Sequence, residues 1–223
     1  MKAITDMSSR NYGQACSVAR FLDQLGSRWT LLIVRDLLVG PRRFKELLAN
    51  SPSMGPNLLT DRLRELQEQG IVRKVAAPGA SATTYILTEQ GLELEPVVLA
   101  IARWGMRYAT VDESNPGASR PDLLVVAFRA AFLPERAKGV EEAYEFRIDD
   151  TIFFAQISDT VLHTGLGSAT RPAFVLTTDS QTFDKIAAGT LDVIDAQERC
   201  LIDLSGDEQA FARFLDLFKG RGG

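Results

Sequence analysis

The 223-residue chain has one histidine, two cysteines and no apolar run near the roughly 18 to 20 residues of a membrane span. Each shortage excludes something. With His163 alone a histidine-rich zinc site cannot be built, and a Ser-His-Asp triad would depend on that one ring. Gly165 to Thr170 (GLGSAT) completes neither a dinucleotide fingerprint nor a nucleophile elbow. No enzyme activity, catalytic residue, metal or cofactor is therefore expected. Cys16 and Cys200, two cysteines far apart in sequence, give no disulfide framework, which fits a reducing compartment. The first residues, with Asp6 and polar Ser8 to Gln14, lack an apolar signal core, so a cytoplasmic location is expected and no membrane partner.

Charge is unevenly distributed. The net charge of −4 hides two halves of opposite sign: residues 1 to 110 hold 14 Lys and Arg against 10 Asp and Glu, a net of +4, and residues 111 to 223 hold 11 against 19, a net of −8. A basic half beside an acidic one points to a polyanion partner for the first. Phenylalanine changes at the same place: only Phe21 and Phe44 precede it and ten follow. Thr110 to Asp122 (TVDESNPGASRPD) has two prolines and no apolar period, so it reads as a linker. The expected domains are 1–110, a linker at 111–121, and 122–219.

In the first half, Asn57 to Gly70 (NLLTDRLRELQEQG) places Leu59, Leu63 and Leu66 at i, i+4 and i+7, one face of a helix. The other side carries Asn57, Thr60, Asp61, Arg62 and Arg64. Gly55 suits the cap and Pro56 the first helical position, where a missing N–H costs nothing. Gly70 can stop the helix in a left-handed conformation. Ile71 to Val75 and Thr83 to Leu87 then read as strands of a hairpin, with Ala77 to Ser81 as turn material. With the apolar stretches Thr30 to Leu38 and Phe44 to Leu48 before it, this order builds a winged helix-turn-helix. The fold class expected for the whole chain is α+β.

The same segments, Cys16 before a short helix, GSRWTLLIVRDLLVGPRRFKELL (Gly26 to Leu48), MGPNLLTDRLRELQEQGIVRK (Met54 to Lys74), YILTEQGLEL (Tyr85 to Leu94) and Trp104, resemble the HxlR family of bacterial transcription regulators over roughly residues 12 to 108. The resemblance implies a dimeric winged helix-turn-helix whose helix from Pro56 to Gln69 reads double-stranded DNA at a pseudo-palindromic operator. It departs from the family in two places. Members commonly carry a hydroxyl residue where Gly55 stands, and a basic residue at the wing tip, here Ala77 to Ala82.

Residue chemistry assigns roles within that frame. Asn57, Thr60 and Arg64 are the candidates for base edges, since Asn can bond adenine twice and Thr can meet a thymine methyl. Arg42, Arg43, Lys45, Arg62, Arg73 and Lys74 are the candidates for phosphate. After the wing, Thr88 can cap a helix that Pro96 should kink or delay, and its apolar positions Val97, Ile101, Trp104 and Tyr108 recur at helical spacing. These residues, with Phe21 on an earlier helix, are the expected homodimer interface. Cys16 is a candidate redox-sensitive thiol or, alternatively, a buried packing residue.

The second half reads as a helix (Pro121 to Pro134), three strands in a meander (Tyr144 to Ile148, Thr151 to Ile157, Thr160 to Leu166), a fourth strand (Ala173 to Thr178), a helix (Ser180 to Gly189), a short strand (Cys200 to Leu204) and a last helix (Asp207 to Phe218). From Val175 to Leu191 and on through Leu204 to Phe218, this order resembles the sterol-carrier-protein type-two fold, a likeness covering roughly Leu123 to Lys219. It implies an antiparallel sheet covered by helices with an apolar tunnel for a small apolar effector. Phe128, Phe132, Phe146, Phe154, Phe174, Phe183, Phe211, Phe214 and Phe218 either line such a pocket or fill a core.

Overall fold

A stretch of ten residues buried on nearly every side organises the first half. α2 (Thr30–Val39) follows α1 (Ser17–Leu25) and buries Ile33, Val34, Leu37, Leu38 and Val39 in the core of this unit. This computed structural model describes residues 11–76, 83–108, 120–187 and 190–218. By internal contacts the chain divides into two compact units, 1–95 and 96–223. The expected linker lies almost wholly outside the described residues.

In the first unit α3 (Phe44–Ala49) is closed at its start by the Glu46 carboxylate, which accepts from the Arg43 backbone N–H at 2.5 Å. The chain turns through buried Ser51 and Met54 into α4 (Pro56–Glu68). Gly55 is extended ahead of Pro56, as the sequence predicts. At the other end Gly70 has φ +72° and donates to the Gln67 carbonyl at 3.0 Å, while the Ile71 N–H reaches back to Leu66 at 2.9 Å. This pair of bonds satisfies the last carbonyls of α4 and reverses the chain. Leu59, Leu63 and Leu66 are 0%, 1% and 1% exposed, which confirms the inner face of the helix.

β1 (Val72–Ala76) and β2 (Thr83–Leu87) form the antiparallel hairpin, with Val72 opposite Leu87 and Lys74 opposite Tyr85. Arg42 adds an isolated bridge on the other edge of β2 by exchanging both backbone bonds with Tyr85, at 3.1 and 2.7 Å. The wing tip, Ala77 to Ala82, lies outside the described residues. Thr88 caps α5 (Glu89–Leu92), its hydroxyl accepting from the Gly91 N–H at 3.0 Å and donating to the Gly70 carbonyl at 2.5 Å. A side chain at Gly91 would start 2.2 Å from the Ile71 carbonyl oxygen, so that close approach requires glycine. Instead of one delayed helix there are two: Pro96, which lacks the N–H needed to continue α5, stands in the first turn of α6 (Glu95–Tyr108).

The second unit continues from a single turn at Pro121–Leu123 into α7 (Leu124–Ala131). β3 (Glu141–Ile148), β4 (Thr151–Ser158) and β5 (Val161–Leu166) make the meander, turning at Asp149 and Asp159, both at positive φ. β6 (Phe174–Thr178) then pairs parallel with β3. α8 (Ser180–Ala187) and α9 (Val193–Glu198) precede β7 (Ile202–Gly206), and α10 (Glu208–Asp216) ends the described fold. The strand order is β5-β4-β3-β6-β7. The sheet is thus mixed, which corrects the expectation of an antiparallel one: after β5 the chain crosses back past β4 and β3 and enters on the far side of β3, in the same direction as that strand. The crossing segment is fastened where the Ala169 N–H donates to Glu145 at 2.9 Å, and Arg147 holds that buried carboxylate at 2.7 Å.

One face of this sheet is aromatic. Tyr144, Phe146, Phe153 and Phe174 are fully buried and meet Phe128 of α7 and Phe211 and Phe214 of α10 ring to ring. Successive strand residues alternate between faces, so Phe153 joins the cluster and Phe154 points to the opposite face, where its ring lies against Gly165.

Candidate nucleic-acid interface

The outer line of α4, opposite Leu59, Leu63 and Leu66, runs Asn57, Asp61, Arg64 and Glu68 at i, i+4, i+7 and i+11, all exposed. Asn57 stands in the first turn with no side-chain hydrogen bond among the described residues. Thr60 flanks this line, exposed; its hydroxyl donates to the Pro56 carbonyl at 2.9 Å. Arg64 lies 3.3 Å from Asp61 and 3.9 Å from Glu68. Asp61 was visible in the sequence on this face, yet only the helical register shows it at the centre.

The cations expected at phosphate separate into two sets. Arg43 and Lys45, at the start of α3, are exposed and make no ion pair among the described residues, and neither does Arg73. Lys74 is exposed with its ammonium over the Tyr85 ring at 5.3 Å. Because strand residues alternate, Arg73 and Lys74 leave the hairpin on opposite faces, and Arg73 borders an open hollow with Leu87, Thr88 and Gln90. Arg62 is half-buried and tied to Glu65, and Arg42 is half-buried, its backbone paired with that of Tyr85.

The remaining candidates fall on other elements. On α6 only Val98 is buried, whereas Val97, Ile101, Trp104 and Tyr108 are exposed along one line, Trp104 by 63%. The Trp104 and Tyr108 rings lie 5.6 Å apart. Phe21 is half-buried on α1. Cys16 is exposed at the cap of α1, where the nearby backbone N–H groups of Ala19 and Val18 favour its thiolate and lower its pKa. In the second unit Phe132, Phe183 and Phe218 are half-buried at the margin of the aromatic cluster. Among the described residues no group of His, Cys, Asp or Glu could hold a metal ion, and no helix is long and apolar enough to cross a membrane.

A short helix, a turn, a second helix with a polar outer face and a hairpin behind it define a DNA-binding transcription regulator of winged helix-turn-helix type. The sequence pattern described as HxlR-like helix-turn-helix matches residues 24–113. The uncharacterized HTH-type transcriptional regulator Mb3122 of Mycobacterium bovis is 37% identical over 115 residues, which span 51% of this chain and 71% of that protein. A second uncharacterized HTH-type regulator, YdeP of Bacillus subtilis, is 36% identical over 104 residues, 46% of this chain and 80% of its own. The chain belongs to the HxlR-like helix-turn-helix family of transcription regulators. Among solved structures, the redox regulator HypR in its oxidized form is 35% identical, covering 43% of this chain and 100% of that one, with a TM-score of 0.40.

Proposed function

We propose that this regulator works as a cytoplasmic homodimer on a pseudo-palindromic operator. α4 of each protomer enters the major groove, with Asn57, Thr60 and Arg64 toward base edges and Arg43, Lys45, Arg73 and Lys74 toward phosphate. Arg42 and Arg62, half-buried in the fold, support the interface from behind. One observation carries this reading: the outer line of α4 is exposed from Asn57 to Glu68 while its inner line is sealed in the core. DNA-binding and dimerisation functions are assigned to residues 1–110, and an effector function to 122–219. The dimer is proposed through α6, whose line of Val97, Ile101, Trp104 and Tyr108 would expose an apolar surface in a monomer, with Phe21 of α1 included.

The effector reading assigns the second unit a sterol-carrier-like role, with a small apolar molecule entering among Phe128, Phe132, Phe183 and Phe218. Three of these rings are only half-buried, so an apolar guest would gain contact area there. To change DNA affinity, the guest must favour one dimer arrangement over the other. Titrating duplexes selected from a random library tests the whole: Asn57→Ala should abolish selection of one base pair per half-site, and Trp104→Asp should yield monomers with weakened binding. If Asn57→Ala binds the selected duplexes as the native chain does, the assignment of α4 is wrong. Sterols, fatty acids and aromatic compounds that neither shift the melting temperature nor change DNA affinity would remove the effector reading.

A second reading has its own observation. Cys16 is exposed, and its thiolate is favoured by the backbone at the start of α1, so oxidants or electrophiles would modify it. In that case the second unit serves oligomerisation. Cys16→Ser should then remove oxidant-dependent release of DNA; unchanged release would eliminate this alternative.

A further inference from the structure

The centre of the reading helix carries a carboxylate that serves no evident structural purpose. Asp61 has a side chain 52% exposed, and its only ion-pair partner among the described residues is Arg64 at 3.3 Å. Arg64 is itself drawn toward Glu68 at 3.9 Å on the other side. The line from Asn57 to Glu68 therefore presents one cation between two anions, an arrangement that repels phosphate. On the face meant to meet a polyanion, Asp61 weakens non-specific attraction unless a hydrogen-bond donor stands opposite it.

The major groove offers few such donors. Guanine shows two acceptors there and thymine an acceptor and a methyl group; only the amino groups of cytosine and adenine donate. Adenine sets its ring-nitrogen acceptor beside the amino group, where it opposes a carboxylate, whereas cytosine presents the donor alone. Its guanine partner supplies two acceptors, which match the guanidinium of Arg64. Asp61 and Arg64, one turn apart on the same line, thus form an acceptor and a donor set complementary to neighbouring cytosine and guanine edges. Glu68 lies at the far end of the helix, away from the first turns that approach bases.

We propose that Asp61 is a specificity-determining residue of this regulator, accepting a hydrogen bond from a cytosine amino group next to a guanine bound by Arg64. The proposal rests on the reading of α4 as the helix that enters the groove. Its other effect is exclusion: opposite guanine, thymine or bare phosphate the carboxylate finds only acceptors, so wrong sites are rejected as well as right ones held.

The test uses the full chain and duplexes selected by it from a randomised library. Affinities of the native chain, Asp61→Asn, Asp61→Ala and Arg64→Ala are measured for the selected duplex, for every single base-pair change in one half-site, and for a non-specific duplex. Asp61→Asn and Asp61→Ala should lose discrimination at one C·G pair by about 5- to 150-fold. Both should bind the non-specific duplex more tightly, since a repelling charge has gone. In an Arg64→Ala background, Asp61→Asn should still alter the preference. Unchanged preference at every position overturns the proposal, as does a change that vanishes once Arg64 is absent, which would leave Asp61 only a positioning residue. If the native chain selects no duplex, the reading of α4 fails and the proposal with it, a result distinct from selection that is indifferent to Asp61.

Discussion

Raising the salt concentration distinguishes cations available to phosphate from those already committed inside the fold. Arg43, Lys45, Arg73 and Lys74 are exposed and without an ion pair among the described residues, whereas Arg62 is tied to Glu65 and Arg42 is half-buried. Three or four free cations in each protomer of the proposed dimer correspond to about six to eight neutralised phosphates and, at about −0.9 per phosphate, a slope of about −5 to −7 in log K against log salt. Between about 50 and 200 mM salt, affinity should fall roughly a thousand- to ten-thousand-fold. Fluorescence anisotropy with a labelled duplex measures this directly. Lys45→Ala removes one contact per protomer and should flatten the slope by about 1.8 for the dimer. Arg62→Ala should leave the slope alone, because that guanidinium releases no counterion. A slope near zero, or equal flattening by both variants, would refute the division of these cations into free and committed sets.

Other expectations concern stability and reactivity. Leu63→Ala, at a position 1% exposed on the inner face of α4, should destabilise the first unit by about 2–5 kcal/mol in urea denaturation; a negligible change would mean that α4 is not seated as described. Burial, and then its hydrogen bond to Glu142 at 2.7 Å, raise the pKa of the Tyr144 phenol far above the ordinary tyrosine value. The native state therefore holds that proton more tightly than the unfolded chain, so the stability it contributes is complete below about pH 10 and is lost as pH rises further. Tyr144→Phe should cost about 0.5–1.5 kcal/mol at neutral pH and lessen the alkaline decline, as followed by circular dichroism. Alkylation of Cys16 by iodoacetamide should reach half its maximal rate below the pH typical of a free thiol, and an ordinary midpoint would contradict its placement at the cap of α1.

The first unit was legible because its punctuation is chemical. Pro56 and Gly70 can occupy few conformations, and between them a leucine every three or four residues leaves one way for the helix to face. The hairpin was equally plain from its β-branched residues. Less could be read where partners are distant in sequence: Phe174 to Thr178 announces a strand, but nothing in it says that it pairs parallel with β3. The short helix α9 was missed because six residues hold too little of a helical period. Phe153 and Phe154 show a third limit, since adjacent identical residues give no sign of which one faces the core. For the site, Asn57 and Arg64 were proposed from residue type, but the pairing of Arg62 with Glu65, the burial of Arg42 and the central place of Asp61 depend on neighbours that spacing does not reveal.

The mixed strand order has a consequence for synthesis on the ribosome. β1 and β2 are separated by only six residues, so the hairpin can close soon after it emerges. β3, in the middle of the second sheet, gains its neighbour β4 almost at once but lacks its other neighbour until β6, whose last paired residue is Thr178, has emerged. During that interval the nascent chain carries an uncovered strand edge beside unpacked aromatic rings, the state in which misassembly and chaperone capture compete with folding.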